Sequence, residues 1–190
     1  MYRIIALLLI CFIVACKSSP KPTKTQALPS VDTAQFYPIA DFIAAQIRYV
    51  DLRNFTIQKK IGAANFTDSI EINKDTFLQI AGTILAKVQN WNRVKHLYKE
   101  SVFQDLGTAS YTINYTSISP STPIQNIDIL LNEQTNILKR LFIKEKTDIH
   151  DTTIITQYNW IADRSFQMNQ STRTGNHFNA ESKLEIKWAQ

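Results

Sequence analysis

Beyond Leu97 the hydrophobic pattern has a period of two, and that rhythm constrains the fold more than anything else in the chain. Tyr111, Ile113 and Tyr115 alternate with Thr112, Asn114 and Thr116. Ile127, Ile129 and Leu131 alternate with Asp128 and, less cleanly, Leu130. Successive side chains of a strand point to opposite faces, so each run reads as a strand with one buried side. Residues 137–146 carry apolar side chains on both faces, as a central strand would. Residues 152–161 place Ile154, Tyr158 and Trp160 on one face, and residues 165–169 follow a turn at Ala162-Asp163. Leu184, Ile186 and Trp188 close the chain in alternation with Glu185 and Lys187. With polar turns at residues 132–136 and 148–151, this is an antiparallel meander of consecutive hairpins. Residues 170–180 are polar and read as a mobile loop.

The first half of the domain has a different rhythm. Ile39, Phe42, Ile43, Ile47 and Val50 recur at helical spacing, which predicts a helix over residues 38–52 opened by Pro38. Asp41, Gln46, Arg48 and Asp51 fall on its other sides. Strands follow over residues 55–61 and 66–72, joined by a turn at residues 62–65. Asn73 has the chemistry of an N-cap, and Asp75 sits where a helix dipole favours negative charge. Phe77, Ile80, Ala81, Ile84, Leu85 and Val88 then form an apolar stripe that predicts a second helix ending near Lys87 or Val88. Two amphipathic helices and a meander with one apolar face bury each other most economically as two layers. The expected fold class is therefore α+β: an antiparallel β-meander sheet with two helices packed on one face.

The N-terminus specifies an address. Arg3 is followed by an apolar run at residues 4–14, too short to span a bilayer as a helix, which takes about 20 residues, but of signal-peptide length. The run ends in Ile13-Val14-Ala15-Cys16 and passes into Lys17-Ser18-Ser19-Pro20. This resembles the lipobox of bacterial lipoproteins, with Ile in place of the commoner Leu at the first position. The resemblance implies cleavage after Ala15 and a diacylglyceryl group on the Cys16 thiol. One acyl chain holds a membrane marginally, whereas two or three anchor it stably. Residues 1–15 are thus read as a signal peptide. Residues 16–30, with Pro20, Pro22 and Pro29 among Ser, Thr and Lys, are read as the lipidated cysteine and a flexible tether. Residues 31–190 form one domain. In the lipoproteins this leader resembles, acidic residues just after the cysteine can direct surface display; the tether has none, so the resemblance implies an outer-membrane protein facing the periplasm. The Ile-, Asn- and Lys-rich composition resembles envelope lipoproteins of the Bacteroidota.

Composition excludes several function classes. Cys11 leaves with the signal peptide and Cys16 is consumed by lipid, so the mature domain has no thiol chemistry and no disulfide. Four glycines in the chain argue against glycine-rich phosphate loops. The net charge of +5, falling to +4 when Arg3 is cleaved away, is dispersed along the sequence. A nucleic-acid footprint would gather it on one face, so none is expected.

Few residues invite a chemical role. Asp148, His150 and Asp151 form the one tight cluster of acid–base or metal-ligating types, but Asp also favours turns, and a polar hairpin turn is the better reading. His96 and His177 are isolated. Asp68, Glu71, Asp75, Glu100 and Asp105 have no feature that marks a glycosidase pair. No Gly-x-Ser-x-Gly occurs. The Asn-x-Ser/Thr matches at Asn54, Asn65, Asn114 and Asn169 carry no information in a bacterial envelope protein. Aromatic residues gather in the sheet region. Tyr111, Tyr115, Phe142, Tyr158 and Trp160 are the candidate lining of an apolar ligand site if the sheet is curved, but aromatics are enriched in strands, and core packing with cross-strand pairing is the better reading. The expectation is a non-enzymatic lipoprotein, without cofactor or metal, whose domain binds an envelope protein partner. A carrier of an apolar ligand is the alternative.

Overall fold

The computed structural model describes residues 36–63, 66–175 and 177–189, with the backbone alone at residues 66–68. Residues 1–35, which carry the expected signal segment, Cys16 and tether, and residues 64, 65, 176 and 190 lie outside the described residues. The order of elements is α1 (Ile39–Asp51), β1 (Thr56–Gly62), β2 (Phe66–Ile72), α2 (Lys74–Val88), the short α3 (Trp91–Val94) and a 3-10 turn (Lys95–Leu97). Seven strands complete the chain: β3 (Tyr98–Asp105), β4 (Ser110–Ser117), β5 (Ile124–Asn132), β6 (Leu138–Ile149), β7 (Thr152–Ile161), β8 (Ser165–Thr174) and β9 (His177–Ala189).

All nine strands form one antiparallel sheet in the order β2-β1-β9-β8-β7-β6-β5-β4-β3. The meander is the unbroken run from β3 to β9. The β1–β2 hairpin adds to its far side, with Ile57 opposite Trp188. Of the six connections within the meander, five contain a residue at positive φ: Ala109, Asn136, His150, Asp163 and Gly175. A residue in the left-handed region lets the chain reverse within a few residues.

Because β2 and β3 are opposite edges, the segment between them must cross the sheet. Its contacts trace the crossing. Phe77 in α2 meets Trp188 of β9 at 5.5 Å and Phe166 of β8 at 6.1 Å between ring centroids. Lys87 Nζ lies 2.9 Å from Glu145 Oε1 of β6. Trp91 in α3 packs on Tyr115 of β4 at 5.2 Å and on Tyr98 of β3 at 4.6 Å. Asn73 begins α2 as a cap, its side chain accepting from the Thr76 N–H at 2.9 Å. In α1 the buried residues are Ile39, Ile43, Gln46 and Val50. Gln46 had been placed outside the apolar stripe. It is buried because its amide bonds to the β7–β8 turn: Nε2 donates to Asp163 Oδ1 at 2.9 Å, and Oε1 accepts from the Asp163 N–H at 2.8 Å.

The register separates two faces. On the aromatic face Tyr115, Ile127, Ile143 and Tyr158 form one cross-strand row, and Ile129, Leu141, Trp160, Phe166 and Ile186 form the next. These residues belong to the same core cluster as Ile39, Ile43, Phe77, Ala81, Ile84 and Val88 of the two long helices. On the polar face the corresponding rows carry Asn, Asp, Gln, Lys and Arg. Residues 170–180 are not a loop, as their polarity suggested. Gln170 to Thr174 complete β8, Gly175 turns at φ 55°, and β9 begins at His177. The end of β8 pairs with β7 and β9, and the start of β9 pairs with β8, so backbone ladders form here without apolar side chains.

Candidate functional site

Alternation and register together build a recess on the polar face. Phe103, Thr112, Leu130 and Arg140 lie side by side across β3 to β6. The neighbouring row is Ser101, Asn114, Asp128, Phe142 and Asn159, across β3 to β7. Thr112, Asp128, Leu130, Arg140, Phe142 and Asn159 line a depression of 460 Å³. The β5–β6 ladder shifts register between Ile124 and Asn126 and again between Leu130 and Leu131. These irregularities bracket the segment that supplies Asp128 and Leu130. A bulge bends its strand and re-aims nearby side chains, which accounts for a hollow in this part of the sheet.

Asp128 is held firmly in that hollow. Asn114 Nδ2 donates to Asp128 Oδ1 at 2.5 Å, and Asn126 Nδ2 donates to Asp128 Oδ2 at 2.9 Å. Asn114 Nδ2 also reaches Asn126 Oδ1 at 2.9 Å, and the Thr116 hydroxyl donates to Asn114 Oδ1 at 2.8 Å. The carboxylate is thus clamped by two amides. Arg140 lines the same depression, yet forms no ion pair among the described residues. Phe142 is half-buried between them, and Phe103, 62% exposed, adds apolar surface beside Thr112. Further along the face Glu185 is buried, accepting from Gln167 Nε2 at 2.7 Å and pairing with Lys187 at 3.1 Å.

The aromatic candidates are divided between the faces. Tyr115, Tyr158 and Trp160 are buried in the core cluster, and Tyr111 is half-buried against it. Phe142 alone lines the depression on the polar face, since its neighbours Leu141 and Ile143 take the aromatic face. Between Ile43, Ile84, Leu141, Ile143, Tyr158, Asn159, Trp160 and Phe166 no gap is wide enough to admit a water molecule. Tyr115 accepts from the Tyr37 N–H at 3.1 Å, and Tyr158 donates to Glu145 Oε2 at 3.0 Å. Burial raises the ionisation of both hydroxyls above the ordinary tyrosine range, and the Glu145 charge adds to the effect at Tyr158. Burial also pushes Tyr98 up to about 12. These phenols are therefore neutral structural donors and acceptors near neutral pH.

The acid–base candidates do not assemble. β6 and β7 extend to Ile149 and Thr152, leaving His150-Asp151 as a two-residue turn with His150 at φ 57°. Asp148 is in β6, where it pairs with Lys146 at 2.8 Å and accepts from the Thr153 hydroxyl at 2.7 Å. Those two partners hold its carboxyl below the usual range. Glycine relieves a left-handed position, so His150→Gly should keep the fold and gain about 1 kcal/mol in denaturant titration. A loss of stability would give the imidazole a role beyond the turn. Asp105 caps the β3–β4 turn, its carboxylate accepting from Thr108 and from the Gly107 N–H, which lowers its pKa. Glu71 and Asp75 sit on β2 and α2, and Glu100 on β3. The side chain of Asp68 lies outside the described residues. Among the described residues no group of three or more His, Cys, Asp or Glu is placed to hold a metal, and no helix is long and apolar enough to cross a membrane.

Sequence reasoning named Phe142 but missed Asp128, Arg140, Thr112, Leu130 and Asn159. Their alternation was visible strand by strand. The pairing that sets them side by side was not. No protein-family model, curated protein or solved structure matches the chain.

Proposed function

We propose that this chain is a lipid-anchored protein of the bacterial cell envelope, held on the outer membrane by Cys16 and facing the periplasm, whose non-enzymatic domain binds an envelope partner through the polar face of its sheet. The lipobox-like segment ending at Cys16 supports the anchor. The observation that carries the binding role is the 460 Å³ depression with its clamped Asp128 and an Arg140 that forms no ion pair among the described residues. Sheet surfaces that serve only solubility have no need of a recessed carboxylate held by two amides. We read α1 and α2 as one layer over the aromatic face, which leaves the polar face as the accessible one. An apolar-ligand carrier would have to seat its ligand among Tyr111, Tyr115, Tyr158 and Trp160, and the packing there favours the docking role instead.

The anchor and the face are tested together in cells. Cys16→Ser should abolish incorporation of radioactive fatty acid and release the protein from membranes; equal labelling would refute the anchor. In the anchored protein, photoactivatable residues at Thr112 and Phe103 should give a reproducible crosslinked product that the same probe at Leu52, 71% exposed beside α1, does not give. Equal crosslinking from all three positions would refute the polar face as the docking surface.

A further inference from the structure

The geometry points to a specific chemistry for the polar depression: it is a receptor site for a zwitterionic end group, as in an amino acid or short peptide with a free ammonium, a free carboxylate and an apolar side chain. This inference rests on the reading that the polar face is the binding face. Asp128 and Arg140 line one depression as diagonal neighbours, since Asp128 pairs with Phe142 and Arg140 is two residues before it. Diagonal positions are about 7–8 Å apart, within reach of a long side chain. The two opposite charges would ordinarily neutralise each other, yet no ion pair joins them. The reason is visible in the clamp. Asn114 of β4 and Asn126, two residues earlier in β5, engage both carboxylate oxygens of Asp128. Those amides supply no charge, so Asp128 keeps its negative charge and has acceptor capacity left.

The site thus offers a fixed anion, a separate guanidinium suited to bidentate carboxylate binding, and an apolar floor at Leu130 and Phe142. A neutral ligand would desolvate both charges without compensating either. A simple anion would leave Asp128 uncompensated, and a simple cation would leave Arg140 uncompensated. A ligand with both charges satisfies both groups and can lay its side chain on Phe142, with Phe103 extending the apolar rim. Lys144, on the other side of Phe142 and also outside any ion pair among the described residues, adds attraction for the carboxylate. The volume lies within the range of small-molecule sites, about 300–1,000 Å³.

The test is calorimetric titration of the full chain, extracted from membranes in mild detergent, with the dipeptide Ala-Phe. Saturable binding is expected. N-acetylation of the dipeptide should weaken it at least about tenfold, and C-terminal amidation likewise, each removing one charge-assisted contact. Asp128→Asn should erase the discrimination against the acetylated form only, and Arg140→Met the discrimination against the amide only. The ligand-side changes leave the protein untouched, so a folding defect cannot mimic the pattern. Binding indifferent to both modifications would overturn the zwitterion assignment, as would no heat change with the dipeptide at about 10 mM. If the Thr112 crosslink persists in cells in either case, the docking face stands and only its ligand chemistry falls.

Discussion

Phe77→Ala should lose about 3–5 kcal/mol of folding stability, the largest effect expected of any single truncation in the helices. Phe77 is fully buried and is the residue through which the start of α2 meets both Trp188 and Phe166. Removing its ring takes away apolar burial and opens a cavity whose walls are large aromatic side chains that cannot collapse into it. Trp188 and Phe166 also contact each other and Trp160, so the loss spreads through one cluster. Domains are commonly stable by about 5–15 kcal/mol, so the variant should be only marginally folded at room temperature. Urea titration followed by tryptophan fluorescence would measure it, with Leu52→Ala as a control expected within about 0.5 kcal/mol of the parent. A loss under about 1 kcal/mol for Phe77→Ala would mean that α2 is not seated on β8 and β9.

Gln46→Ala should cost about 2–3 kcal/mol, more than an alanine substitution in a helix ordinarily costs. Its amide makes two bonds with Asp163, and Oε1 also accepts from Trp160 Nε1 at 3.4 Å. Truncation leaves the buried indole N–H without its acceptor, at a cost of about 1–3 kcal/mol for an unsatisfied buried donor, and removes the two part-buried bonds to Asp163. Asp163 is at φ 59°, so the bond also holds a strained turn between β7 and β8. Gln46→Leu separates the two contributions. It restores apolar volume without the acceptor, and should recover less than half of the loss in the same titration. Full recovery would show that the amide is a spacer and that its hydrogen bonds contribute nothing net.

The outline of the fold was legible because it rests on local rules. The stripe from Phe77 to Val88 specified α2, and Asn73 capped it where a side-chain acceptor is needed. Alternation located β4 to β7 and the end of β9, since a strand with one buried side must alternate. The polar hairpin of β8 and β9 was hidden for the complementary reason. Its end of β8 is paired with β7 and β9 and the start of β9 with β8, and nothing in Gln170 to Ala180 records those bonds. Gln46 was hidden because its partner is 117 residues away and a glutamine is ordinarily solvated.

What the sequence determined by itself is therefore the two long helices, the strands β4 to β7 with the alternation that marks them, the absence of cysteine from residues 31–190 and the likeness of residues 1–16 to a lipoprotein signal. Tertiary structure decided the register between strands, that β1 closes on β9, and that the segment from α2 through α3 leads across the sheet from the β2 side to β3. It also decided the candidate site. Asp128, Arg140 and Phe142 are ordinary strand residues until β5 and β6 pair in one register, and a slip of one residue would turn a strand's polar side toward the core. Periodicity along a strand is set by local geometry, whereas register between strands is set by burial summed over the whole sheet.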